Sequence, residues 1–182
     1  MVLTHLHWDH CLNIDLFQRA KVLLGEAELK GGFLMDPREP FTGAFKQVLK
    51  EKMDVHTVGD GDRISVHATT LLTPGHSPGH VAVCVRDRGK LTILSGDAVP
   101  NFRAYLREFP DFSFYNRKMS RESVRKIKTL HPDVIIPGHD SPFNDGGYLE
   151  RDDFTLILRR ENEENTLITI GKRPADRPVI HK

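Results

Sequence analysis

The sequence predicts a single α/β domain, and three observations carry that reading. The chain has 182 residues, a length that fits one domain and can bury a sizeable core. Apolar runs of β type alternate with stretches of helical spacing. Each short cluster of histidine and aspartate follows directly after a β run, which places those clusters on loops at one edge of a sheet.

In order, Val2 and Leu3 read as the last residues of a buried strand. Residues 21–24 read as a short strand and 26–29 as a turn of helix, ended by Gly31-Gly32. A helix is expected over 43–52. Residues 55–72 read as strands around the turn Gly59-Asp60-Gly61-Asp62. The runs 81–85 and 91–94 form a hairpin through 86–90. Residues 100–117 are aromatic and irregular. Ser120 is the expected N-cap of a helix whose apolar face is Val124, Ile127 and Leu130. A short strand at 134–136 ends at Pro137-Gly138. A last hairpin is expected at about 154–158 and 167–170, turning at 161–165. The division is a motif-bearing part over 1–143 and a C-terminal hairpin and tail over 144–182, within one domain spanning 1–182.

Composition narrows the function. Lys and Arg total 26 against 25 Asp and Glu, so bulk charge points to neither nucleic acid nor membrane. No apolar run approaches the roughly 18 residues of a membrane span, and no signal peptide is recognisable at Met1. Cys11 and Cys84 form no CxxC pair, which suits a reducing, cytoplasmic compartment. Of ten histidines, six sit in short motifs rich in Gly, Pro or Asp: His5, His7, His10, His76, His80 and His139.

The first motif is His5-Leu6-His7-Trp8-Asp9-His10. Imidazole and carboxylate are ligands for zinc-like divalent metals. Four such ligands within six residues cannot easily reach one ion, but they can serve two neighbours. The second motif is Thr73-Pro74-Gly75-His76-Ser77-Pro78-Gly79-His80, whose Pro and Gly residues fix tight turns. One of its histidines can complete a three-imidazole set with His5 and His7. His80 stands between a supporting contact and plain packing. In Ser95-Gly96-Asp97-Ala98 a carboxylate at a strand end can bridge two cations. Pro137-Gly138-His139-Asp140 supplies a remaining imidazole, with Asp140 solvated or supporting.

In this order the four motifs resemble the metallo-β-lactamase superfamily, from residue 2 to about 143. The chain looks most similar to its small one-domain branch, which includes acyl-homoserine lactonases and metallo-β-lactamase domain-containing protein 1. The resemblance implies an αββα sandwich with two metals at one edge. It implies His5, His7 and His76 on the first metal, Asp9, His10 and His139 on the second, and Asp97 between them. Zinc is the first choice of metal, with iron or manganese as alternatives. Two departures accompany the match. Family members normally begin with further strands and a helix before the first motif, so the sandwich is expected to be N-terminally incomplete. The hairpin at 154–170, or a second copy in a homo-oligomer, would then cover the open edge. The lactonases also carry a tyrosine three residues after the bridging aspartate, where Pro100 stands here; Tyr105 and Tyr115 are the candidates to replace it.

The expected activity is metal-dependent hydrolysis of a small ester, lactone or thioester by a hydroxide bridging the two metals. Asp9 would orient that hydroxide or carry its proton. Asp62, Ser95 and Asp140 are candidate supports for the metal-binding imidazoles. Two alternatives are a phosphodiesterase or nuclease and a truncated metal-binding module without activity. The former is motivated by Arg103, Arg107, Arg117, Lys118, Arg121, Arg125, Lys126 and Lys128, the latter by the short N-terminus.

Overall fold

The computed structural model describes residues 1–30, 42–110 and 112–149, together with the backbone of 156–158 and 166–168. Strand pairing begins with the first residues. Leu3 N donates to the Leu23 carbonyl at 2.9 Å and Leu23 N to the Met1 carbonyl at 2.8 Å. Val2 therefore lies opposite Leu23, parallel to strand β1 (Lys21–Gly25). Helix α1 (Trp8–Cys11) and a 3₁₀ turn (Ile14–Phe17) lead into β1, and α2 (Glu26–Lys30) follows it without a break. Helix α3 (Thr42–Lys52) then returns the chain to β2 (Asp54–Val58), which pairs parallel to β1. Leu3, Leu6, Ile14, Val22, Leu24 and Leu49 form the core of this first layer, with Phe45, Met53 and Val55 packed on it. Full burial of each such aliphatic side chain contributes about 1.5–3 kcal/mol.

The second sheet has six strands in the order β3-β4-β5-β6-β7-β8. They are β3 (Ala68–Leu72), β4 (Val81–Asp87), β5 (Lys90–Gly96), β6 (Val134–Pro137), β7 (Phe143–Asn144) and β8 (Gly147–Tyr148). The hairpin of β4 and β5 turns at Arg88 and Gly89, whose φ of 47° and 80° suit a tight hairpin turn matching the strand twist. Although β2 and β3 flank the Gly59–Asp62 turn, they do not pair with each other: β2 joins β1 and β3 joins β4, so the turn carries the chain from one sheet to the other. Between β5 and β6 lie α4 (Phe102–Arg107) and α5 (Arg117–Thr129). On α5, Ser120, Ser123, Val124 and Ile127 are buried, an i, i+3, i+4, i+7 stripe. It covers Leu71, Ala82, Leu91, Ile93, Ile135 and Phe143. Helix on sheet, sheet by sheet and helix again give the αββα order, with the first sheet short.

Two sequence expectations change. Asn116, not Ser120, caps α5, its side chain accepting from Met119 N at 3.0 Å. Ser120 is inside the helix, buried, with its hydroxyl 2.7 Å from that of Ser113. The irregular stretch contains α4, started by Asn101, whose side chain accepts from Ala104 N at 2.8 Å. The C-terminal hairpin is present as β9 (Leu156–Leu158) and β10 (Thr166–Ile168), antiparallel to one another. Its expected turn at 161–165 lies outside the described residues, as does any side chain by which it would cover the first sheet.

Strand direction explains where the motifs converge. β3 and β5 are each antiparallel to β4, and β6 is parallel to β5, so β3, β5 and β6 all end at one edge. The loops carrying His76, Asp97 and His139 leave from those three ends. The first motif joins them because Val81 N donates to the Thr4 carbonyl at 2.9 Å.

A candidate metal centre

All seven residues singled out in the sequence meet at this edge. They form two groups, His5 with His7, His76 and Asp97, and Asp9 with His10 and His139; within each group the donor atoms lie within 4.8 Å of one another. Asp97 stands between the groups. Its Oδ2 lies 3.2 Å from His76 Nε2 and 3.2 Å from His139 Nε2, and its Oδ1 lies 3.4 Å from His10 Nε2. Asp9 Oδ2 is 3.5 Å from the Nε2 atoms of both His10 and His139.

The supports of these side chains differ from those expected. His5 Nδ1 faces the Thr4 hydroxyl at 3.0 Å, and His76 Nδ1 donates to the Phe112 carbonyl at 2.9 Å. Both contacts leave Nε2 directed inward. Asp62, Ser95 and Asp140 do not serve this role: each is bonded elsewhere. Asp62 accepts from Gly59 N, Ser95 donates to the Val99 and Ile136 carbonyls, and Asp140 accepts from Phe102 N and the Tyr148 hydroxyl. His80 is a supporting residue. Its Nδ1 lies 2.8 Å from the Thr73 hydroxyl, and its Nε2 accepts from Asp97 N at 3.2 Å. Neither candidate tyrosine supplies the missing hydroxyl. Tyr105 is buried and donates to Asp145 at 2.5 Å, and Tyr115 lies outside the cleft that the donors line.

Backbone shape brings the loops together. Gly138 packs so tightly on Asp97 that a Cβ there would fall 2.0 Å from Oδ1, so any side chain at 138 would displace the carboxylate. Gly75 has φ +134°, and a Cβ on it would meet Ser120 N at 2.1 Å. The loop at 112–116 wraps it: Asn116 N and the Ser113 hydroxyl both bond the Gly75 carbonyl at 2.9 Å. A register shift between Leu94 and Gly96 bends the end of β5 and aims Asp97 at the site.

One residue of this assembly has no signal in the sequence. Glu28 of α2 is 4% exposed, yet its carboxylate accepts from Leu6 N at 3.1 Å, the Ser77 hydroxyl at 2.8 Å and Gly79 N at 2.9 Å. It reads in the sequence as one more acid on a solvated helix turn. The near contact of Gly25 with Gly79, where a Cβ would lie 2.0 Å from the Gly79 carbonyl, brings α2 close enough for the bonds to form.

The donor set fits a divalent cation. Because His76 Nδ1 donates to a carbonyl, the neutral ring keeps a bare lone pair on Nε2. That lone pair lies 2.9 Å from His7 Nδ1 and 3.2 Å from the Asp97 carboxylate, an arrangement a cation relieves. Burial lowers the pKa of His5 well below its usual value, with the neighbouring His80 and His76 adding to the effect. Burial likewise lowers His76, against the pull of Asp97. Neutral imidazole is the form that binds metal. Burial opposes ionisation of Asp97, but the adjacent His10, His76 and His139 hold its carboxyl below the usual range. His5 Nε2 is buried with no hydrogen-bond partner among the described residues, and Asp97 Oδ1 likewise makes none.

A cleft of about 300 Å³ opens over both groups, lined by Trp8, Asp9, Asn101, Phe112, Phe114 and His139 among others. Phe114 stacks edge-on against His7 and His76, with ring centres 4.9 and 5.3 Å apart. A larger cavity of about 430 Å³ lies behind the second motif, beside Gly59, Pro74 and Pro78, but none of the seven donors lines it.

Comparison with known proteins agrees with the fold. A profile of the metallo-beta-lactamase superfamily matches residues 1–139, and the chain belongs to that family. It is 25% identical over 145 residues to an N-acyl homoserine lactonase of Bacillus cereus, covering 77% of this chain and 55% of that protein. It is 30% identical over 156 residues to N-acyl homoserine lactonase AttM of Rhizobium radiobacter, covering 77% and 57%. A crystal structure of a mutant of AiiA from B. thuringiensis, with N-decanoyl-L-homoserine bound at the active site, superposes with a TM-score of 0.64 at 21% identity, covering 76% of this chain and 54% of that one. The chain thus spans about half the length of the curated relatives it matches. Among the described residues no helix is long and apolar enough to cross a membrane.

Proposed function

We propose that this protein is a metal-dependent hydrolase of small esters, lactones or thioesters, working with two divalent cations, zinc in first place. His5, His7 and His76 would hold one cation and Asp9, His10 and His139 the other, with Asp97 shared. The observation carrying this reading is the position of Asp97 Oδ2, 3.2 Å from an imidazole nitrogen of each group. When bound, such cations lower the pKa of water from ~15.7 toward ~7 and polarise the substrate oxygen.

The chain's own residues do the rest. Trp8, Phe112 and Phe114 present an apolar wall to the acyl part, and Asn101 offers an amide to its polar atoms. Asp9 has a side chain one-third exposed at the floor of the cleft. There its carboxylate takes the proton from the attacking water and returns it to the departing oxygen or sulfur as the acyl C–O or C–S bond breaks. His80, through Asp97 N, and the Phe112 carbonyl, through His76 Nδ1, hold the donors still.

A small acyl substrate suits the cleft better than a phosphodiester polymer. None of the eight basic residues at 103–128 lines it. Arg125 and Lys128 pair with Glu108, and Lys126 with Asp60. The relatives named as N-acyl homoserine lactonases support a lactone or related ester. The test is metal analysis with parallel assays of a lactone, a thioester and bis(p-nitrophenyl) phosphate. Metal-dependent turnover of the lactone or thioester is expected. Turnover of the phosphodiester alone would overturn the substrate class, and two metals per chain without turnover would favour a binding module.

A further inference from the structure

We infer that Glu28 is a positioning residue that sets the spacing between the two loops on which the buried metal donors sit. Three donors meet its carboxylate, and they come from both loops. Oε1 accepts the N–H of Leu6, the residue between His5 and His7, at 3.1 Å. Oε2 accepts the Ser77 hydroxyl at 2.8 Å and Gly79 N at 2.9 Å, from the loop that carries His76. The Leu6 peptide is gripped at its other end as well, its carbonyl accepting from the Thr42 hydroxyl at 3.2 Å. Each loop leaves from a different sheet, and the main-chain bond from Val81 N to the Thr4 carbonyl ties them only before His5 and after His80, leaving Leu6, Ser77 and Gly79 still to be fixed. A planar carboxylate with two acceptor oxygens fixes them, in a place where Gly25 and Gly79 let α2 approach.

Hydrogen bonds of this kind hold ligand-bearing segments to within the tolerance a metal demands, and their loss typically costs about 10–100-fold in affinity. Glutamine cannot replace the carboxylate. Its amide –NH₂ would face either the Leu6 N–H or the Ser77 and Gly79 donors, so one of the two loops is released. The outer donors stand apart from this link: Asp9 and His10 continue α1, and His139 leaves from β6. Glu28 therefore acts on one site and not on the other.

The inference rests on the metal-centre reading above, and the experiment separates the two. Zinc affinity is measured by chelator competition for the whole chain in two backgrounds. In His139→Ala the buried site is left, and in His76→Ala the outer one. Adding Glu28→Gln should weaken zinc about 10–100-fold in the first background and by no more than about twofold in the second. Cobalt substitution gives a second readout, a changed visible absorption band in the first background only. Equal weakening in both backgrounds, or none in the first, would overturn the assignment of Glu28. Absence of zinc uptake by the unaltered chain would overturn the metal centre and this inference together. If Glu28→Gln fails to fold, Ser77→Ala removes only one donor. A loss of several-fold confined to the buried site then supports the inference, and unchanged affinity overturns it.

Discussion

The two donor groups differ in how the fold holds them. His5, His7, His76 and Asp97 are all buried, whereas Asp9 and His139 are exposed and His10 is half-buried. The first group draws on both sheets, and its imidazoles are turned by Thr4 and by a main-chain carbonyl at Phe112. The second sits on one short helix and one loop, under the open cleft. The contrast teaches that folding sets the first group's geometry in advance. The second is free to exchange its contents with solvent and substrate.

The largest effect should come from Asp97, which stands between the two groups. Asp97→Ala should lose both cations and drop kcat by roughly 10²–10³-fold or more, the scale of losing one preorganised charge contact; elemental analysis beside kinetics checks it. Retention of both metals would remove Asp97 from the centre. Next, His76→Ala should cost more metal affinity than His139→Ala, because a buried four-donor set loses more than an open one. Equal losses by chelator competition would break the contrast between the groups.

Acid stability sharpens it further. Burial, with His76 adding to it, lowers the pKa of His80 from 6.5 to about 3. The unfolded ring protonates first, so the stability this residue contributes is present above pH 6.5 and is lost as pH falls toward about 3. The apo protein should therefore lose stability steadily across that window, and His80→Gln should flatten the decline in denaturant titrations. A slope unchanged by the substitution would show that His80 is not held neutral. The smallest effect is expected at the cleft wall. Phe112→Ala should raise KM several-fold while leaving kcat and metal content within about twofold, since the group bonded to His76 is the carbonyl and not the ring.

What the sequence disclosed and what it hid follow a physical line. Seven donors were legible because imidazole and carboxylate groups packed into short Gly- and Pro-bounded motifs have few other uses. The strands were legible where burial alternates, as along β5, where Leu91, Ile93 and Ser95 face inward. Glu28 was not legible, because its role depends on Gly25 meeting Gly79, a contact between residues 54 positions apart. The partner of His76 was equally hidden, since every residue has a carbonyl and none advertises where it points. Asn116 and Asn101 are hard to read as caps because the aromatic residues between them obscure both helix starts.

That carbonyl at 112 has an evolutionary side. An interaction made by the main chain survives any side-chain replacement that keeps the local path of the backbone. The ring it carries stands two-thirds exposed on the rim of the cleft. Mutation there can reshape what enters without disturbing the imidazole behind it, so one position can supply new selectivity and constancy at once.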